Sequence, residues 1–74
     1  MNGTELKCAR IRRNKTTSEM AKLIGKSSNS WNQKERGRTS ATLEEACIIG
    51  QALSLTETEF CAIFFDGKLP FRKE

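Results

Sequence analysis

The stretch TSEMAKLIGKSSNSWNQKERG, residues 17–37, decides the fold of this chain. Apolar residues recur at helical spacing in the first half, where the predicted buried side consists of Met20, Ala21, Leu23 and Ile24, and Trp31 is the one large apolar residue of the second. Gly25 stands between the halves, and Gly37 follows the second; glycine readily adopts the positive φ that ends a helix. The stretch therefore predicts two short helices joined by a tight turn, with a polar outward side on the second helix.

Capping residues predict where these two helices begin, and they also predict the starts of helices elsewhere in the chain. Thr16 with Glu19 and Thr56 with Glu59 have the spacing of a capping box, and Ser27 is a predicted cap before Ser28. Thr4 is the predicted cap of the first helix. No segment has the pattern of a strand. The five predicted helices run from Thr4 to Arg13, Thr17 to Ile24, Ser28 to Lys34, Leu43 to Leu53, and about residue 57 to Phe65.

Length and composition predict one domain, residues 1–74, with a C-terminal tail at 66–74. The three cysteines have no paired or metal-like spacing and histidine is absent, so no metal site, cofactor or disulfide framework is predicted. Without a Cys–His pair or clustered carboxylates, no enzyme is predicted. No apolar run could span a bilayer and no signal-peptide pattern is present, so we expect a cytoplasmic protein with no membrane or small-molecule partner.

Charge is divided unevenly along the chain. Residues 1–41 carry ten Lys and Arg against three acidic residues, whereas residues 42–74 carry three against six. Such an excess of Lys and Arg is often only a solvated surface that binds no partner. Here it coincides with the two-helix stretch, which favours a polyanion as the partner of the first half.

Between residues 4 and 65 the chain resembles the helix–turn–helix domain of the phage repressor/Cro (XRE-like) family. The resemblance implies an all-α fold: a compact five-helix, lambda-repressor-like DNA-binding domain with a central helix–turn–helix at about residues 17–35. The matching residues are Leu6, Arg10, Thr16, Ala21, Gly25, Ser27, Glu35, Gly37, Leu43, Glu45, Ala46, Ile49, Ala52, Leu53 and Ile63 to Phe65.

The resemblance also implies how DNA would be bound, because helix three of the family enters the major groove. The positions that would read bases are Thr17, Ser28, Asn29, Ser30, Asn32 and Gln33; amides and hydroxyls suit base edges, although a polar helix face is often merely solvated. The positions that would hold phosphates are Arg10, Thr16, Lys26, Lys34, Arg36, Arg38 and Thr39. Thr16 equally suits a simple helix cap.

Three further expectations concern the interior and the C-terminus. The resemblance implies an ion pair between Arg10 and Glu35, and Trp31 is expected in the core. All four phenylalanines lie within the last fifteen residues. Phe65, Leu69 and Phe71 either form an apolar patch for self-association or belong to a tail that folds back over the core.

Taken together, these features predict a phage or prophage Cro/repressor-like transcriptional regulator. It would bind double-stranded operator DNA as a homodimer, formed in solution or only on DNA. The alternative is an antitoxin-like or adaptor module that docks a protein through the Phe-rich C-terminal segment.

Overall fold

A computed structural model describes residues 1–65, and all regular structure within them is α-helical. The helices are α1 (Gly3–Arg12), α2 (Thr17–Leu23), α3 (Ser28–Glu35), α4 (Leu43–Ala52) and α5 (Glu57–Phe64). The prediction of an all-α chain with five helices is confirmed for this part of the chain. The predicted tail, 66–74, lies outside the described residues.

The side chains that cap the helices explain why each begins where it does. The predicted capping boxes of α2 and α5 are both present, and α4 has a third that sequence analysis missed. In that third box the Glu45 N–H donates to Thr42 Oγ1 at 3.1 Å, and Glu45 Oε1 accepts from the Thr42 N–H at 3.0 Å. Ser27 caps α3 as predicted, with its Oγ accepting from the Ser30 N–H. These bonds satisfy backbone N–H groups that a helix start leaves without partners.

The beginning of α1 differs from the prediction, because Asn2 rather than Thr4 is the cap. The Asn2 Oδ1 accepts from the Glu5 N–H at 3.1 Å, and asparagine is one of the best capping residues. The Asn2 N–H also donates to the Ile63 carbonyl, at 2.6 Å, so a contact with α5 fixes this end of α1. A contact across the fold therefore helps decide a helix boundary that the local sequence left open.

Glycine is required at the point where α1 meets α3. Gly3 is buried, and a Cβ there would lie 2.7 Å from the Lys34 carbonyl oxygen and would overlap the Glu35 carbonyl group. The chain can therefore bring α1 close to the last turn of α3 only without a side chain at this position. Gly25 and Gly37 have φ of 70° and 77°, which confirms their predicted role in ending α2 and α3.

The core lies where all five helices converge. Its fully buried large side chains are Leu6, Met20, Trp31, Ile49, Leu53 and Ile63. Trp31 is in the core, as predicted. Leu23 was predicted to be buried with Met20 and Ile24, but it is 50% exposed. Met20 and Ile24 are four residues apart and share the inward side of α2, which turns Leu23 outward.

Candidate nucleic-acid interface

The outward side of α3 is an uncharged polar surface over most of its length. Trp31 and Lys34 occupy the inward side, so on a helix of 3.6 residues per turn Asn29 and Gln33 lie opposite them. Ser28 and Asn29 are exposed, while Ser30, Asn32 and Gln33 are half-buried. None of these five side chains makes a hydrogen bond to another residue within 1–65, so their amides and hydroxyls can all serve a partner. We call this set, Ser28, Asn29, Ser30, Asn32 and Gln33, the α3 polar face.

Lys34, which was predicted to hold a phosphate, lies inside the fold and not on this surface. The residue is only 5% exposed, and its Nζ lies 3.7 Å from Oε1 of Glu45, itself buried at the start of α4. Position 34 is three residues after Trp31 and therefore shares its inward side. The Lys34 ammonium ties α3 to α4 inside the protein and is unavailable to a ligand in this conformation.

Cations stand at both ends of the α3 polar face. Lys26 precedes α3 in the turn from α2, and Arg36 and Arg38 follow its last residue. All three are exposed, and none makes an ion pair within the described part of the chain. Thr39, the other residue predicted to meet a phosphate here, is also exposed. The ends of α3 thus carry positive charge that no carboxylate of residues 1–65 neutralises.

Three of the other basic residues in the first half, Lys7, Lys15 and Lys22, likewise have no ion-pair partner within residues 1–65. Of the ten Lys and Arg in residues 1–41, four make ion pairs within this described part of the chain: Arg10, Arg12, Arg13 and Lys34. Arg12 and Arg13 both pair with Glu59 of α5, at 3.3 and 3.1 Å, on the contact between α1 and α5. The charge left for a polyanion therefore comes from six residues: Lys7, Lys15, Lys22, Lys26, Arg36 and Arg38.

Arg10 makes the predicted ion pair with Glu35, which is confirmed. Its Nε donates to Glu35 Oε2 at 2.6 Å and its Nη2 to Oε1 at 3.3 Å. Its Nη1 donates to the Lys15 carbonyl oxygen at 2.8 Å. Three groups of a side chain only 11% exposed are thus engaged inside the protein. The phosphate contact predicted for Arg10 would have to use the N–H groups that remain.

Glu35 holds one further donor that sequence analysis missed. The Trp31 Nε1–H donates to Glu35 Oε2 at 2.6 Å, so the same carboxylate binds the indole and the guanidinium. The spacing of Trp31 and Glu35, four residues apart on one helix, was the available signal. Through Arg10 and Lys15, this carboxylate links the core side of α3 to the loop just before α2. The Glu35 carboxylate therefore joins α3 to α1 and, through Arg10, to the loop before α2.

Thr16 acts as the cap of α2. Its N–H donates to Glu19 Oε1 at 2.8 Å, and its Oγ1 accepts from the Glu19 N–H at 3.0 Å. The backbone hydrogen bond from Thr16 is the main reason why the pKa of Glu19 is lowered, with the Thr16 side chain adding to it. A carboxylate thus already lies where a phosphate contact by Thr16 was predicted. Thr17, predicted to read bases, is the first residue of α2 and is half-buried.

Three of the four phenylalanines, Phe60, Phe64 and Phe65, form a cluster on α5 and its C-cap. The ring of Phe60 lies 4.8 Å from that of Phe64 and 5.9 Å from that of Phe65, centroid to centroid, and all three are half-buried. Leu69 and Phe71, the other members of the predicted apolar patch, lie outside the described residues. The cluster therefore leaves open both predictions made for the tail.

No group of three or more His, Cys, Asp or Glu side chains within residues 1–65 could hold a metal ion. Neither α3 nor any other described helix has the length and apolar character needed to span a membrane. Comparison with protein-family models, with curated proteins and with solved structures found no match for this chain.

Proposed function

We propose that this protein is a sequence-specific DNA-binding regulator of transcription, with a lambda-repressor-like fold in which α2 and α3 form the helix–turn–helix. The observation that carries the proposal is the α3 polar face. Its side chains make no hydrogen bond to other residues within 1–65, and the cations at its two ends have no ion-pair partner within the same residues. A helix of this kind suits the major groove, because its amides and hydroxyls meet base edges while the flanking charges meet phosphates.

In this account each part of the interface has a separate task. Lys26, Arg36 and Arg38 bind phosphates, which supplies affinity that depends on salt. The α3 polar face supplies the choice of sequence. Glu35 holds α3 against α1 and the start of α2, so that the reading side chains approach the groove in one orientation.

The small size of α3 bears on how many copies of the protein bind one DNA site. One helix in one groove covers a short site, so we infer a homodimer with two copies of α3 about 34 Å apart in successive major grooves. A compact regulator of this type suits a Cro- or repressor-like role at a phage or prophage operator in the bacterial cytoplasm.

The proposal is tested by the salt dependence of DNA binding in two matched variants. Arg38→Ala removes an exposed, unpaired cation, so it should weaken binding to every duplex and flatten the slope of log K against log salt by about one unit. Lys34→Met removes a cation that the fold has turned inward, so the slope should stay as in the wild type. Fluorescence anisotropy with a labelled duplex measures both slopes, and circular dichroism verifies that each variant is folded.

Two outcomes would count against the proposal. Absence of wild-type binding to any duplex in a randomised pool, even at low salt, would remove the function altogether. A slope that changes for Lys34→Met and not for Arg38→Ala would show that the interface lies elsewhere on the molecule.

A further inference from the structure

We propose that the α3 polar face reads A·T pairs rather than G·C pairs, with Asn29 and Gln33 each facing an adenine. This inference rests on the proposed function, and it specifies the class of sequence that the protein selects. It depends on which side chains of α3 face outward and which are buried in the interior.

The α3 polar face has no cation, and burial of Lys34 is the reason. Within Ser28–Glu35, Lys34 is the only basic residue, and its ammonium faces Glu45 in the interior. In the major groove, guanine presents two acceptors, N7 and O6, which are matched best by the paired donors of Arg or by Lys. With Lys34 turned inward, no side chain of the α3 polar face has that chemistry.

The two amides match adenine instead. Adenine presents an acceptor at N7 and a donor at N6, and the amide of Asn or Gln supplies one donor and one acceptor to bind both. Asn29 and Gln33 are four residues apart, so they lie one above the other on the outward side of α3. Neither amide has an internal hydrogen bond within residues 1–65 that a base contact would have to break.

Arg36 is the side chain that could reverse this preference. It lies seven residues after Asn29, hence on the same side of the helix, and it is exposed. However, Arg36 is the C-cap of α3, and it lies farther than Asn29 and Gln33 from the N-terminal part of the helix, which is the part nearest the base edges in helix–turn–helix docking. We therefore assign Arg36 to the phosphates and the two amides to the bases.

The test begins with selection from a library of randomised duplexes by the intact protein. Enriched duplexes should carry adenine at two positions of each half-site, and Asn29→Ala and Gln33→Ala should each lose the preference at one of them. Next, 7-deazaadenine replaces adenine at each position, which removes the N7 acceptor and leaves Watson–Crick pairing intact. Each replacement removes one of the two hydrogen bonds of the contact, so it should weaken wild-type binding measurably, by less than the about 5- to 150-fold expected for loss of the whole bidentate contact. The variant that lacks the corresponding amide should not respond.

Two other outcomes of this experiment distinguish failure of the adenine assignment from failure of the proposed function. If the enriched sites carry guanine at positions whose preference disappears in Arg36→Ala, and 7-deazaadenine has no effect, the protein reads DNA but the adenine assignment is wrong. If the library shows no enrichment at all, sequence-specific binding itself is refuted, and this inference falls with it.

Discussion

Replacement of Glu35 by glutamine should destabilise the protein far more than its conservative size suggests. The wild-type carboxylate accepts hydrogen bonds from Arg10 Nε and Nη2 and from Trp31 Nε1. An amide keeps one oxygen but turns an NH₂ group toward these donors, which leaves the charge of Arg10 without its counterion. The side chains of Glu35 and Arg10 are only 7% and 11% exposed, respectively. Loss of one partner from a buried ion pair typically costs about 3–5 kcal/mol, so we expect a loss of about 3 kcal/mol in the free energy of unfolding.

Arg12→Gln is the matched control, because it also exchanges an ion-pair member for an amide. Arg12 is 50% exposed, and its partner Glu59 keeps Arg13. An exposed pair contributes about 1 kcal/mol or less, so the control should cost no more than that. Urea unfolding of each variant, followed by the fluorescence of Trp31 and by circular dichroism, gives the two values. Equal losses for Glu35→Gln and Arg12→Gln would refute the claim that the buried carboxylate organises α3.

Two further predictions concern the packing of α1 and the caps of the helices. Gly3→Ala should lower the free energy of unfolding by about 1–3 kcal/mol or more, because the added Cβ would meet the backbone of Lys34 and Glu35. Gly50→Ala is the control, because its Cβ would meet only the side-chain ring of Phe60, which can move. Equal melting temperatures for the two variants would contradict this prediction. The pKa of Glu59 is lowered, chiefly by its hydrogen bond from the Thr56 backbone and then, against the opposing effect of desolvation, by Arg13 and Arg12. A carboxylate whose pKa is lower in the folded state stabilises the fold above its ordinary pKa of 4.5 and loses this effect as the pH falls through the folded-state value. Urea midpoints should therefore fall below about pH 4.5 in the wild type, and the fall should be smaller in Glu59→Gln; identical pH profiles would exclude this role of Glu59.

Local sequence signals account for most of the helical framework. The caps at Thr16, Ser27 and Thr56 and the glycines at 25 and 37 act within one turn of their own position, so their spacing alone predicts where α2, α3 and α5 begin and where α2 and α3 end. The start of α1 also has a local signal, Asn2 three residues before Glu5, which sequence analysis missed in favour of Thr4. The contacts of Asn2 with α5 and of Gly3 with α3, which support this start, join residues far apart in the chain and could not be predicted locally.

The candidate interface was predictable in its polar part and less so in its charged part. Asn29 and Gln33 follow from helical spacing relative to Trp31. The prediction grouped Lys34 with Arg36 and Arg38 because all three stand at the C-terminal end of α3, whereas the carboxylate that pairs with Lys34, that of Glu45, lies eleven residues away on α4. Lys34 is the third residue after Trp31, and this helical spacing was the available sign that it would point inward.

The measurement that tests sequence-specific DNA binding most directly is fluorescence anisotropy with two labelled duplexes. One carries the DNA immediately upstream of this protein's own reading frame, and the other is an unrelated sequence of equal length. We predict a preference of about a hundredfold or more for the upstream duplex, retained at near-physiological salt. Equal binding to both duplexes that disappears as salt is raised would contradict it, because it would leave only a basic surface without sequence choice.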